Sequence, residues 1–75
     1  MMKVDEDGTA KVPGKEHWVV FRPEDVGVDD VKGLDPIGFV EKAEDGSFMA
    51  AGRIGFATNL ESKEKAVGVL RGQLG

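Results

Sequence analysis

The sequence predicts an α+β fold: a small antiparallel sheet of three to five strands with one carboxy-terminal amphipathic helix packed on one face. Three observations lead there. An Asp45-Gly46 pair stands between two apolar-rich stretches, Ile37 to Ala43 and Phe48 to Ala57. The hydrophobic period then changes from two residues to about 3.6 after Leu60. Finally, a length of 75 residues has room for a single small domain and not for two.

Taken in chain order, Asp7-Gly8 marks a first turn, and the apolar positions Met2, Val4, Ala10 and Val12 around it prefer a three-residue loop, so residues 1–16 read as a hairpin. His17-Trp18-Val19-Val20-Phe21-Arg22 reads as a strand, stopped by Pro23, which has no N–H to donate to a ladder. Pro23-Glu24-Asp25-Val26 suits a helical turn, with proline first and acids near its positive end. Residues 23–36 form an acidic connector within a sheet region of 17–58.

The hairpin over 37–57 is the clearest unit. Asp-Gly tolerates the positive φ of a tight turn, and a two-residue loop pairs Ala43 with Phe48, Glu41 with Ala50, Phe39 with Gly52 and Ile37 with Ile54. That register collects apolar side chains on one face, continued by Phe56, and leaves Gly38, Val40, Lys42, Met49, Ala51 and Arg53 on the other. A three-residue loop would spread large apolar groups over both faces, which a half-buried sheet disfavours. Gly52 and Gly55 mark a bend or a close backbone approach.

Over 59–74, Leu60, Val67, Leu70 and Leu74 share one side of a helix with Ala66, opposite Glu61, Lys63, Glu64, Lys65 and Arg71. Thr58, with Glu61 three residues on, and Ser62 are alternative caps, and Gly72 or Gly75 can end the helix. Gly68 in its middle is explained most simply by close approach to the sheet. The chain reads without internal repeats, low-complexity tracts or linkers.

Composition limits function. The charged fraction is 32%, the net charge −4, and there is no cysteine, so disulfides, thiolate metal sites and a cysteine nucleophile are all excluded. Eleven glycines, about twice ordinary usage, raise the entropy lost on folding and leave a margin that a second copy or an obligate partner would help. The longest apolar runs, Trp18 to Phe21 and Phe48 to Ala51, are far short of the ~20 residues needed to cross a bilayer. The start carries charge with no apolar stretch behind it, so a cytoplasmic location is expected. Lys and Arg are scattered, which argues against nucleic acid.

Candidate chemistry is sparse. Asp5, Asp7, Thr9 and Glu16 fall at four ligand places of a calcium loop, but the place that needs glycine holds Ala10, and an acidic hairpin turn explains them better. His17, the sole histidine, lacks partners for a triad or a metal cluster and reads as a solvated strand residue. Trp18 reads first as a core anchor and second as a contact residue. Glu24, Asp25, Asp29, Asp30 and Asp35, against Lys32 alone, form a solvated connector or a negative patch for a basic protein surface. Gly52-Arg53-Ile54-Gly55 has neither phosphate-loop pattern.

From Ile37 to Leu70, the Asp-Gly turn followed by Phe56-Ala57-Thr58-Asn59-Leu60-Glu61 and Ala66-Val67 gives an order of elements that resembles the amino-terminal domains of tyrosine integrases and the antitoxin halves of some toxin–antitoxin pairs. The likeness is one of order, without a diagnostic motif. It implies no DNA-reading role, since the corresponding face offers only Lys42 and Arg53 as cations. The reading that follows is a non-enzymatic protein-interaction module, a regulator or inhibitor using an acidic loop or an open sheet face, with no cofactor and no metal. Its partner is another protein or a second copy, and the contact candidates are Glu24, Asp25, Asp29, Asp30, Asp35, Trp18, Met49 and Arg53. A nucleic-acid-binding sheet-plus-helix domain is the alternative.

Overall fold

A computed structural model describes residues 3–73. Five strands, β1 (Thr9–Lys11), β2 (His17–Val20), β3 (Gly38–Lys42), β4 (Phe48–Gly52) and β5 (Phe56–Leu60), form one antiparallel sheet in chain order, and a helix, α1 (Lys63–Gly72), packs on it. Pro23–Asp25 makes a single 3-10 turn where proline and two acids favour one. The predicted α+β class is therefore the one adopted. Every strand follows its neighbour through a short return except β2 to β3, which the acidic connector joins.

The helix begins at the second of the two predicted caps. Ser62 is extended, and its hydroxyl accepts from the Lys65 amide at 3.2 Å. Residues 56–60, which the sequence divides between hairpin and helix start, are instead a fifth strand. The chain reverses at Arg53-Ile54, where the Gly52 amide donates to the Gly55 carbonyl at 2.9 Å. Leu74, Met2 and Gly75, assigned above to helix, hairpin and cap, lie outside the described residues.

The hairpin register differs from the expected one by a single residue. Gly38 pairs with Gly52, Phe39 with Ala51, Val40 with Ala50, and Glu41 with Met49. The loop has three residues, Glu44-Asp45-Gly46, closed by Ala43 N–H to Ser47 O at 2.8 Å and Gly46 N–H to Ala43 O at 3.0 Å, with Gly46 at φ 89°. The cause is local. The Asp45 carboxylate accepts from the Ser47 amide at 2.9 Å and from its hydroxyl at 2.6 Å, which fastens a turn of the type I plus left-handed glycine kind. The first hairpin uses the same device: Asp5 N–H to Thr9 O at 2.8 Å, Gly8 N–H to Asp5 O at 2.9 Å, and Asp7 accepting from Thr9. Glu6-Asp7-Gly8-Thr9 and Glu44-Asp45-Gly46-Ser47 are thus a short internal repeat of one turn, and the three-residue loop expected for the first is present in both.

Moving the register moves the faces. Val40 and Ala50 meet α1, with Val20, Ile37, Ala66, Val67 and Leu70 buried around them and Trp18, Phe48 and Leu60 at the margin. Phe39, Met49, Ala51 and Phe56 take the opposite side. There the connector is more than a solvated link: Val28, Val31 and Leu34 pack on a second cluster of Val4, Ala10 and Phe21, beside Val19. Val4 ties to the connector in both directions, its N–H to Val28 O and its carbonyl to Gly27 N–H, each at 3.0 Å. Large side chains on both faces are tolerated in part because the connector covers the β1–β2 end of the second face. The helix–sheet approach also differs: a Cβ on Gly68 would meet open space, whereas one on Gly38 or Gly52 would sit 2.8 or 2.9 Å from Leu70 Cδ2.

Candidate functional site

The connector covers only part of the second face. One row of paired residues crosses all five strands: Ala10, Val19, Phe39, Ala51 and Phe56. Its first members are sealed by the connector valines, while the far end is bare, with Phe39 37% and Phe56 74% exposed. Ile54, in the turn beside it, is 75% exposed. Next to this row lies a second, His17, Glu41 and Met49. Between connector and open half is a concavity of about 440 Å³ whose walls include His17, Val19, Pro36, Phe39, Ala51 and Arg53.

The polar groups here are few and open to water. The His17 ring stacks on Phe39 at 5.0 Å and 16°, and its Nδ1 lies 3.9 Å from Glu41 Oε2. Arg53 lies 3.8 Å from the Asp35 carboxylate, and Arg22 donates to the Asp35 carbonyl at 2.9 Å. Among the described residues no group of three His, Asp or Glu side chains is placed to hold a metal ion. Asp5, Asp7 and Thr9 belong to the first turn, where Asp7 is engaged by Thr9 and by Lys63 at 2.8 Å.

The candidate contact residues fall in three places. Trp18 faces the helix, its ring tilted against Phe48 at 6.1 Å with the Lys63 ammonium 4.9 Å over it, which is the core-anchor role. Met49 faces the open side, and Arg53 and Asp35 meet at the rim. Glu24 and Asp25 sit in the 3-10 turn, with Asp29 and Asp30 exposed beyond it. The Asp30 carboxylate accepts from the Lys32 amide at 3.0 Å, a local turn bond.

Phe39, Phe56 and Ile54 were not singled out by the sequence. The two-residue-loop register puts both phenylalanines on the main apolar face, and the observed register turns them away from the helix. Aligning the two Glu-Asp-Gly turns would have signalled the longer loop and turned them outward.

Sheet edges matter as well. β5 is a free edge and carries a bulge: Thr58 and Asn59 together oppose Met49, and Asn59 has a positive φ of 58°. No helix among the described residues is long and apolar enough to cross a membrane. No family model, curated protein or solved structure matches this chain.

Proposed function

We propose that the chain is a small non-enzymatic protein-interaction module whose working surface is the open half of the sheet. One observation carries this reading: an apolar row that is sealed at one end by the connector continues uncovered to Phe56 on the free edge. Aromatic side chains held outward on a rigid sheet cost little conformational entropy to bind and match the composition of interface centres. The ionisable pair on this surface, His17 and Glu41, stands on an open slope, where water and dielectric work against acid–base catalysis.

A photo-crosslinking amino acid placed at Phe56, and at Lys65 on the helix as control, tests the proposal in lysate of the native cell. A single dominant adduct from position 56 and none from position 65, abolished by Phe39→Ser, is the expected result. Equal labelling from both positions would overturn the reading. An adduct sensitive to nuclease would replace it with the nucleic-acid alternative.

A further inference from the structure

Charge is divided between the two layers. Sheet positions on the helix side, α1 and the first turn docked on it carry five cations, Lys11, Lys42, Lys63, Lys65 and Arg71, against Asp7, Glu61 and Glu64. The connector, the Gly52–Gly55 turn and the open half of the sheet carry six carboxylates (Glu24, Asp25, Asp29, Asp30, Asp35 and Glu41) against Arg22, Lys32 and Arg53. Two of those three cations are already engaged by Asp35. The bare apolar surface thus lies on the negative side of a polar molecule.

Resting on the interaction reading above, we infer that the occupant of this surface is an extended segment of another protein with apolar side chains at its centre and Lys or Arg at its ends. The centre lies against Phe39, Ala51 and Phe56, and the basic ends meet Glu41 on one side and the connector carboxylates on the other. A second copy docked face to face would instead oppose two negative layers, a like-charge contact that weakens association. Bulging at Asn59 shortens the flat stretch of the β5 edge, so the sheet's face offers more to bind than its rim.

Two synthetic peptides decide the matter by amide chemical-shift titration: Lys-Lys-Val-Phe-Ile-Val-Lys-Lys and its counterpart with glutamate for every lysine. The lysine peptide is expected to shift Phe39, Glu41, Ala51 and Phe56 saturably, at least about tenfold more tightly than the glutamate peptide. Its binding should weaken several-fold from ~50 to ~500 mM salt. Converting Asp29 and Asp30 together to asparagine should lower the affinity, and Phe56→Ser should remove binding with the amides facing α1 unmoved. Equal binding of both peptides, sensitive to Phe56→Ser, overturns the charge assignment and leaves the docking surface standing. A dimer by light scattering that Phe56→Ser dissociates, with neither peptide bound, makes the occupant a second copy and overturns this inference alone. A monomer that binds neither peptide overturns both readings.

Discussion

The two Glu-Asp-Gly turns are built alike and live differently. Both close a three-residue loop with the same pair of backbone bonds, place glycine at positive φ (83° and 89°), and let the aspartate accept from the following hydroxyl residue. The first is docked. Thr9 and Gly8 are buried, Lys63 reaches Asp7 at 2.8 Å, and Arg71 donates to the Asp7 carbonyl at 3.3 Å. The second projects into water. Short-range chemistry sets the shape of such a turn, and its energetic weight comes from what packs on it.

The largest separation is expected at glycine. Gly8→Ala combines a left-handed φ with a Cβ that displaces the Arg71 guanidinium, the movable end of a long side chain, from its bond to Asp7, and should cost about 2 kcal/mol. Gly46→Ala meets open space and should cost only the backbone term of about 1 kcal/mol. Urea midpoints of the two variants check this, and equal losses would mean the docking of the first turn adds nothing.

Aspartate should come next. Partial burial pushes the Asp7 carboxyl up, but hydrogen bonds from Lys63 and Thr9 outweigh it, so its pKa lies below the ordinary 3.8. A depressed folded-state pKa contributes stability that is present above the unfolded value and is lost as pH falls through the folded one. Below about pH 4 the wild type should therefore lose stability relative to Asp7→Asn, whose curve is flatter over that range. At neutral pH, Asp7→Ala should cost about 1 kcal/mol, since the Lys63 pair is half exposed and screened. Asp45 is also held below its ordinary value, by the Ser47 hydroxyl and amide, yet it stands in solvent, and Asp45→Ala should cost less than Asp7→Ala in the same denaturant series.

Smaller still is the effect of Arg71. Its Nε is buried without a partner, which offsets the bond its other nitrogen makes to Asp7. Arg71→Met keeps the aliphatic stem and should leave stability within about 1 kcal/mol of wild type. Least affected should be Ser47→Thr, which copies the first turn's residue onto the exposed one and should change the melting midpoint by no more than a degree or two.

How much of this was legible in the sequence follows from which forces were local. Pro23 opening a helical turn, the Asp45-Gly46 reversal and Ser62, one of the two caps the spacing allows, depend on neighbours within a few residues, and each is where those neighbours place it. Trp18 is legible by size alone, since its partners Phe48 and Lys63 lie far along the chain. Register was misjudged because the face-counting rule assumes one wet side. Val28, Val31 and Leu34, scattered among aspartates, give no periodic sign that they fold back to cover the other. β5 was hidden by the Thr58 and Glu61 spacing of a capping box, which the left-handed Asn59 turns into a bulged strand end instead. The open surface is illegible for the same two reasons, since Phe39 and Phe56 change sides with the register.

Gly38 and Gly52, paired across neighbouring strands under Leu70, have a mechanical consequence. A helix resting on a uniformly greasy floor can slide along it or roll about its axis, trading one set of equivalent contacts for another. Here the missing side chains leave a notch, and a branched methyl drops into it like a detent, indexing α1 against translation and rotation. Filling either half of the notch would jack the helix outward and cost the molecule a fixed reference between layers.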